Sequence, residues 1–137
     1  GDVTGVQTCA LPIYAQSKLV RVIEGSVLDV AVDIRQGSAT FGQHVAVELT
    51  AANKKQMFVP RGFAHGFVVL SDTATFAYKV DNYYSPECDH GLAFDDPRLN
   101  IDWQLPRESL LLSAKDTKQP SWQELDVCFE ASINYYV

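Results

Sequence analysis

Apolar and polar positions alternate with a period of two through the middle of the chain, which predicts short β-strands. In SVLDVAVDIR, Leu28, Val30, Val32 and Ile34 fall on one side and Asp29, Ala31 and Asp33 on the other, the repeat of a pleated strand. Residues 43–50 repeat the pattern, with Val45, Val47 and Leu49 opposite His44, Ala46 and Glu48. Residues 18–24, 56–59, 64–70 and 74–80 read as further strands. Turn signals divide them: Glu24-Gly25, Gln36-Gly37-Ser38, Ala52-Asn53-Lys54, Pro60-Arg61-Gly62, Ser71-Asp72 and Asp95-Asp96-Pro97. No long segment carries a helical period. Many short strands without intervening helices predict an all-β, antiparallel sandwich or barrel, and one apolar face on alternate strands suits a jelly roll around a central cavity.

The ends differ from this middle. Residues 1–13 (GDVTGVQTCALPI) show no clear period. After the break at Pro120-Ser121-Trp122, an apolar and aromatic stretch from residue 125 suits a closing strand, a helix or an interface segment. The expected organisation is therefore one domain over residues 14–120, a foreign segment over 1–13 and a tail over 121–137. A chain of 137 residues with 47% apolar and 20% charged composition is long enough to bury a core. A net charge of −6 argues against nucleic acid as a partner, while leaving room for a small phosphorylated ligand held by local cations. Cys9, Cys88 and Cys128 are scattered and form no CxxC, so neither a disulfide framework nor structural zinc is expected. No apolar run approaches the ~18 residues of a membrane span. A cytoplasmic location, with no membrane partner, is the expectation.

The chemistry concentrates in FVPRGFAHGFVVLSDTATFAYKVDNYYSPE, residues 58–87. It sets His65 among small and apolar residues and then supplies Tyr78, Lys79, Tyr83 and Tyr84. A lone histidine and tyrosine hydroxyls on neighbouring strands are the parts of a proton-transfer pocket. Read as residues alone, His65 also suits a hydrogen-bonded structural histidine, and the tyrosines suit sheet aromatics. Lys18 and Lys115 read equally as solvated charges, Asp116 as a turn or cap residue, and His44 and His90 as surface residues. The chain has three histidines and no HxH, so no metal site is expected.

Over residues 14–116 the chain resembles the dTDP-4-dehydrorhamnose 3,5-epimerase family. The segments that carry the resemblance are YAQSKLVRVIEGSVLDVAVDIR, TFGQHVAVELTAANKKQMFVPRGFAHGFVVL, FAYKVDNYYSPECDHG and LLLSAKD, in the family's order and spacing. The resemblance implies a cupin jelly roll, isomerase chemistry without metal or other cofactor, a homodimer, and a part in making dTDP-L-rhamnose for bacterial surface polysaccharide. It implies Tyr78 as general acid and Asp116 as the carboxylate that orients the catalytic histidine. Lys18, His65, Asp89 and Lys115 fall at substrate-contact positions, and Tyr84 lines the same pocket. The pattern departs upstream of Lys18. Where the family carries an RGLHYQ-like segment with the base histidine and a substrate-binding arginine, this chain has Gly5-Val6-Gln7-Thr8-Cys9-Ala10. Counting back from Lys18 puts Thr8 at the place of the base and Gly5 at the place of the arginine. The expectation is a copy that has lost its true N-terminal part and turns over poorly. A related ketoisomerase or 5-epimerase, or a non-catalytic sugar-nucleotide-binding module, fits the same residues.

Overall fold

Ser26–Asp33 is buried along almost its whole length, on both faces, and the rest of the chain is arranged around it. The computed structural model describes residues 2–9, 14–84, 89–112, 118–125 and 129–137, with side chains left out for 2–9, 89 and 90. The strands are β1 (Asp2–Cys9), β2 (Lys18–Glu24), β3 (Ser26–Asp33), β4 (Arg35–Gln36), β5 (His44–Thr50) and β6 (Gln56–Val59). They continue with β7 (Phe63–Val69), β8 (Thr75–Val80), β9 (Asp89–Leu92), β10 (Leu111–Leu112) and β11 (Phe129–Glu130). A six-stranded sheet runs β10-β1-β7-β3-β5, with β9 also on β1, and a three-stranded sheet runs β6-β2-β8. Most neighbours are antiparallel; the short β10 and β11 pair parallel with β1 and β4.

Two cores explain why β3 has no wet face. Between the sheets, Val20 and Val22 pack with Val27 and Leu49, joined by Phe67, Val69 and Phe76. Phe67 and Phe76 stack across the gap with centroids 4.4 Å apart. On the other side of the large sheet, Leu28, Val30, Val32, Ala64 and Val68 are covered by Leu92, Phe94, Leu99, Trp103 and Phe129. The parity read from the sequence is therefore right, but the Asp29–Ala31–Asp33 side faces the interior of the sandwich and not water. The sandwich is an all-β antiparallel jelly roll, as the alternation predicts. Among the described residues, no helix is long and apolar enough to cross a membrane.

The predicted strands appear within a residue or two of their expected bounds. β1 was not expected. Its pairing with β7 shifts register between Thr4 and Gln7, and an irregular strand leaves no steady alternation in sequence. The two-residue strands β4, β10 and β11 are too short to carry a period. In the tail, the closing element is β11 followed by turns rather than a helix.

At the end of β3 a polar knot closes the strand. Asp33, almost fully buried, accepts hydrogen bonds from Arg35 Nε and Nη2 at 2.9 Å each, from the Arg35 amide at 3.0 Å, from Ser38 Oγ at 2.6 Å and from Thr40 Oγ1. Burial by itself would push its carboxyl up. The Arg35 guanidinium, the two hydroxyls and the amide outweigh that and hold it far below the usual carboxylate range.

Candidate functional site

The register of the small sheet decides which side chains meet. Val20 pairs with Tyr78, and Lys18 with Val80. Directly opposed residues share a face, as do positions two apart on one strand. Val20 belongs to the core between the sheets, so Lys18 and Tyr78 lie on the inward wall. Tyr78 is 62% exposed, which puts its ring at the mouth of the cup. Lys18, the first residue of β2, is half-buried beside it.

The facing wall supplies His65. On β7 it pairs with Ala31, while Asp29 pairs with Phe67, so Asp29 and His65 are diagonal neighbours on one face. His65 Nε2 lies 2.6 Å from Asp29 Oδ1, with exposures of 8% for His65 and 0% for Asp29. This carboxylate fixes the ring's orientation and tautomer. The imidazole then stacks over Phe76 at 6.4 Å, and Phe76 meets Tyr78 at 6.3 Å. An imidazole on one wall and a phenol on the other thus both neighbour the Phe76 ring, with an ammonium on the phenol's wall.

Asp29 is the residue that sequence reasoning missed. Its strand neighbours Val27 and Ala31 on the same face are small and apolar, which was the available signal for a buried carboxylate. Its partner is 36 positions away in sequence, and only the β3–β7 register joins them. Among the described residues, Asp29 Oδ2 is buried without a hydrogen-bond partner. Such a group costs about 1–3 kcal/mol. Asp29→Asn leaves an amide group in that partnerless place and removes the carboxylate that faces His65, so it is expected to lower stability by on the order of 1 kcal/mol, seen as a lower denaturation midpoint. An unchanged or higher midpoint would mean that the carboxylate contributes nothing to stability.

The other predicted residues are placed less fully. Tyr84, 65% exposed, follows β8 by a short loop. Asp89 opens β9 and pairs by backbone with Cys9; its side chain lies outside the described residues, as do Lys115 and Asp116 entirely. The backbone of β1 brings Gln7 opposite His65 and Thr8 opposite His90. His44 is half-buried at the start of β5. Among the described residues, no three His, Cys, Asp or Glu side chains converge as metal ligands. A separate groove of about 300 Å³ near Phe94, Asp102, Trp103 and Arg107 includes none of the site residues.

An all-β antiparallel jelly roll whose two sheets carry an imidazole–carboxylate pair, a phenol and an ammonium on their inner faces defines the class of protein. The sequence profile described as dTDP-4-dehydrorhamnose 3,5-epimerase matches residues 5–124. The chain belongs to the dTDP-4-dehydrorhamnose 3,5-epimerase family. It is 55% identical over 113 residues to the dTDP-4-dehydrorhamnose 3,5-epimerase of Escherichia coli K12, covering 82% of this chain and 60% of that protein. With the enzyme of the same name from Pseudomonas aeruginosa the identity is 51% over 115 residues, covering 84% and 62%. Among solved structures, it matches the Legionella pneumophila dTDP-6-deoxy-D-glucose-3,5-epimerase in complex with dTDP-4-keto-L-rhamnose. That match has a TM-score of 0.91 and 44% identity, covering 97% of this chain and 70% of that one. The Elizabethkingia anophelis dTDP-4-dehydrorhamnose 3,5-epimerase matches with a TM-score of 0.87 and 49% identity, covering 90% and 67%. The chain thus spans about three fifths of the length of the curated relatives it matches. The match begins at residue 5, inside the segment that composition set apart.

Proposed function

We propose that this chain forms the cup of an epimerase acting at C3 and C5 of dTDP-4-dehydro-6-deoxyglucose, giving dTDP-4-dehydro-L-rhamnose in a cytoplasmic route to dTDP-rhamnose. The observation that carries the reading is the row His65–Phe76–Tyr78 between the two sheets, with Lys18 on the phenol's wall. Epimerisation beside a ketone removes an α-proton, leaves an enolate, and returns a proton to the opposite face of the same carbon. Tyr78 returns the proton: a phenol is a neutral donor near pH 7 and tolerates a partly apolar wall. The His65–Asp29 pair contacts the ketone side of the substrate, and the Lys18 ammonium offsets the charge that develops on the enolate oxygen. Tyr84, Asp89 and Lys115 complete the substrate contacts, and Asp116 stands where the family's carboxylate orients the base.

The base itself is the weak point. With threonine at its position, proton removal loses a group typically worth about 10²–10⁴-fold, and a module that binds the sugar nucleotide with little turnover is the second reading. A homodimer accords with the outer face of the small sheet, where Leu19, Ile23 and Phe58 are exposed side by side with Arg21 and Lys79.

The decisive measurement is deuterium wash-in from heavy water into dTDP-4-dehydro-6-deoxyglucose. Exchange at C3 and C5 is the expected outcome. Tyr78→Phe is expected to slow formation of the epimerised product by about 10²-fold or more with little change in nucleotide binding. Exchange at one carbon would favour a monoepimerase or ketoisomerase. Tight binding with no exchange would favour the binding module.

A further inference from the structure

The tail beyond residue 124 lies outside the family match, yet it closes a ring of polar contacts at the Lys18 end of the cup. The Tyr136 hydroxyl lies 2.7 Å from Ser17 Oγ and accepts the Arg61 amide hydrogen at 3.0 Å. Arg61 Nη1 donates to the Tyr135 carbonyl at 2.6 Å, and its guanidinium lies 5.0 Å over the Tyr136 ring. Arg61 Nη2 also reaches Asp81 Oδ2 at 3.4 Å, and Asp81 Oδ1 accepts the Ser17 amide hydrogen at 2.8 Å. Burial would raise the Asp81 carboxyl, but the hydrogen bonds from Ser17 and the Arg61 charge hold it below its ordinary range. Four separate stretches of chain therefore meet in one loop of contacts, and three of them adjoin the site. Ser17 precedes Lys18, Asp81 follows Val80, the cross-strand partner of Lys18, and Arg61 lies in the turn from β6 to β7.

That turn joins the small sheet to the large one, four residues before His65. The tail brackets it from a second side. Phe129 is buried, pairs with Arg35 through β11 and β4, and meets Tyr135 edge-on at 5.0 Å. Gly62, at φ +89°, packs so closely that an added Cβ would come within 2.7 Å of Arg35 Cγ and 3.8 Å of Phe129. The Tyr135 hydroxyl accepts the Glu130 amide hydrogen at 2.6 Å, folding the tail back on itself.

We propose that residues 129–136 are a clasp that sets the spacing of the two walls at the mouth of the cup, and that Tyr136 is a positioning residue for Lys18. The tail holds Arg61 in the β6–β7 turn, packs beside Gly62 and holds the residue before Lys18, so releasing it frees the ammonium's wall relative to the imidazole's. The link to ligand rests on the sugar-nucleotide reading above; the link to wall geometry does not.

Two measurements separate these. The first is binding of dTDP-glucose in a double-mutant cycle of Tyr136→Phe with Lys18→Ala. Tyr136→Phe removes only the hydroxyl and is expected to weaken binding about 5-fold, the equivalent of one hydrogen bond, in the native background. With Lys18 already truncated the loss is expected to fall below about 2-fold, because coupled residues are non-additive. Equal weakening in both backgrounds, or none in the native one, would overturn the positioning role. The second is amide hydrogen exchange of the unliganded chain, comparing native with a form lacking residues 132–137. Faster exchange confined to residues 14–24 and 58–67 supports the clasp, and unchanged exchange there, or an increase spread over the whole chain, rejects it. If the native chain fails to bind dTDP-glucose, the proposed function falls and the exchange result alone judges the clasp.

Discussion

Asp33→Ala is expected to lower stability by about 3 kcal/mol and the melting temperature by on the order of 10 °C, the largest single-residue loss of stability argued for this chain. The reason is the number of groups that one carboxylate satisfies. Its removal strands the Arg35 guanidinium, which is 31% exposed and has the carboxylate as its ionic partner, together with the Ser38 and Thr40 hydroxyls and the Arg35 amide. Breaking one member of such a set is costly where its partners stay partly desolvated, as the half-buried Arg35 and Ser38 do, while the exposed Thr40 hydroxyl is rehydrated. The Arg35 guanidinium also lies 4.8 Å over the Phe63 ring, so a loosened Arg35 disturbs the start of β7. The pH dependence has a fixed sign. The folded carboxyl titrates well below its ordinary value of 3.8, so its contribution is full above that value and fades as pH falls below it. Native protein and Asp33→Asn should therefore differ most near neutrality, and the difference should shrink from about pH 4 downward. Denaturant titrations of both at pH 7, 4 and 2.5 read this directly. A gap that widened in acid would contradict the assignment.

Thr8→His, made together with Gly5→Arg, is expected to raise epimerisation by about 10²-fold or more, the usual worth of a positioned base. The substitution restores the two residues of the RGLHYQ-like pattern at the spacing from Lys18 that the family uses. Backbone pairing already sets this stretch of β1 along β7, with Gln7 opposite His65. The histidine's gain should appear in kcat, and the arginine, at a substrate-contact position, should lower KM. Product formation from dTDP-4-dehydro-6-deoxyglucose, compared between the native chain and the double variant, decides it. An unchanged rate would mean that this position is not where proton removal occurs, and would shift attention to His65 and its carboxylate.

Much of the frame was legible because one physical signal was strong. A strand with one buried face must alternate, and residues 26–35 and 43–50 do so without interruption. The turn residues bounded the strands to within a residue or two. Tyr78 and His65 were legible as candidates through the FAYK and FAHGF segments, but the ring that joins them was not. What separated them from ordinary sheet aromatics was the packing of Phe76 between them. Asp29 and Asp33 were read as the polar side of a strand. They proved to be buried polar groups because β3 has a sheet on one face and the C-terminal half of the chain on the other.

The sequence by itself determined the class of fold, the strand boundaries and the chemical types available to the site, since each depends on local periodicity and residue identity. Only the tertiary structure decided which carboxylate holds His65, which strand face Lys18 and Tyr78 share, and where Tyr136 reaches. Those facts depend on register between strands far apart in the chain. A one-residue slip in pairing would turn every one of these side chains to the opposite face without altering the local pattern.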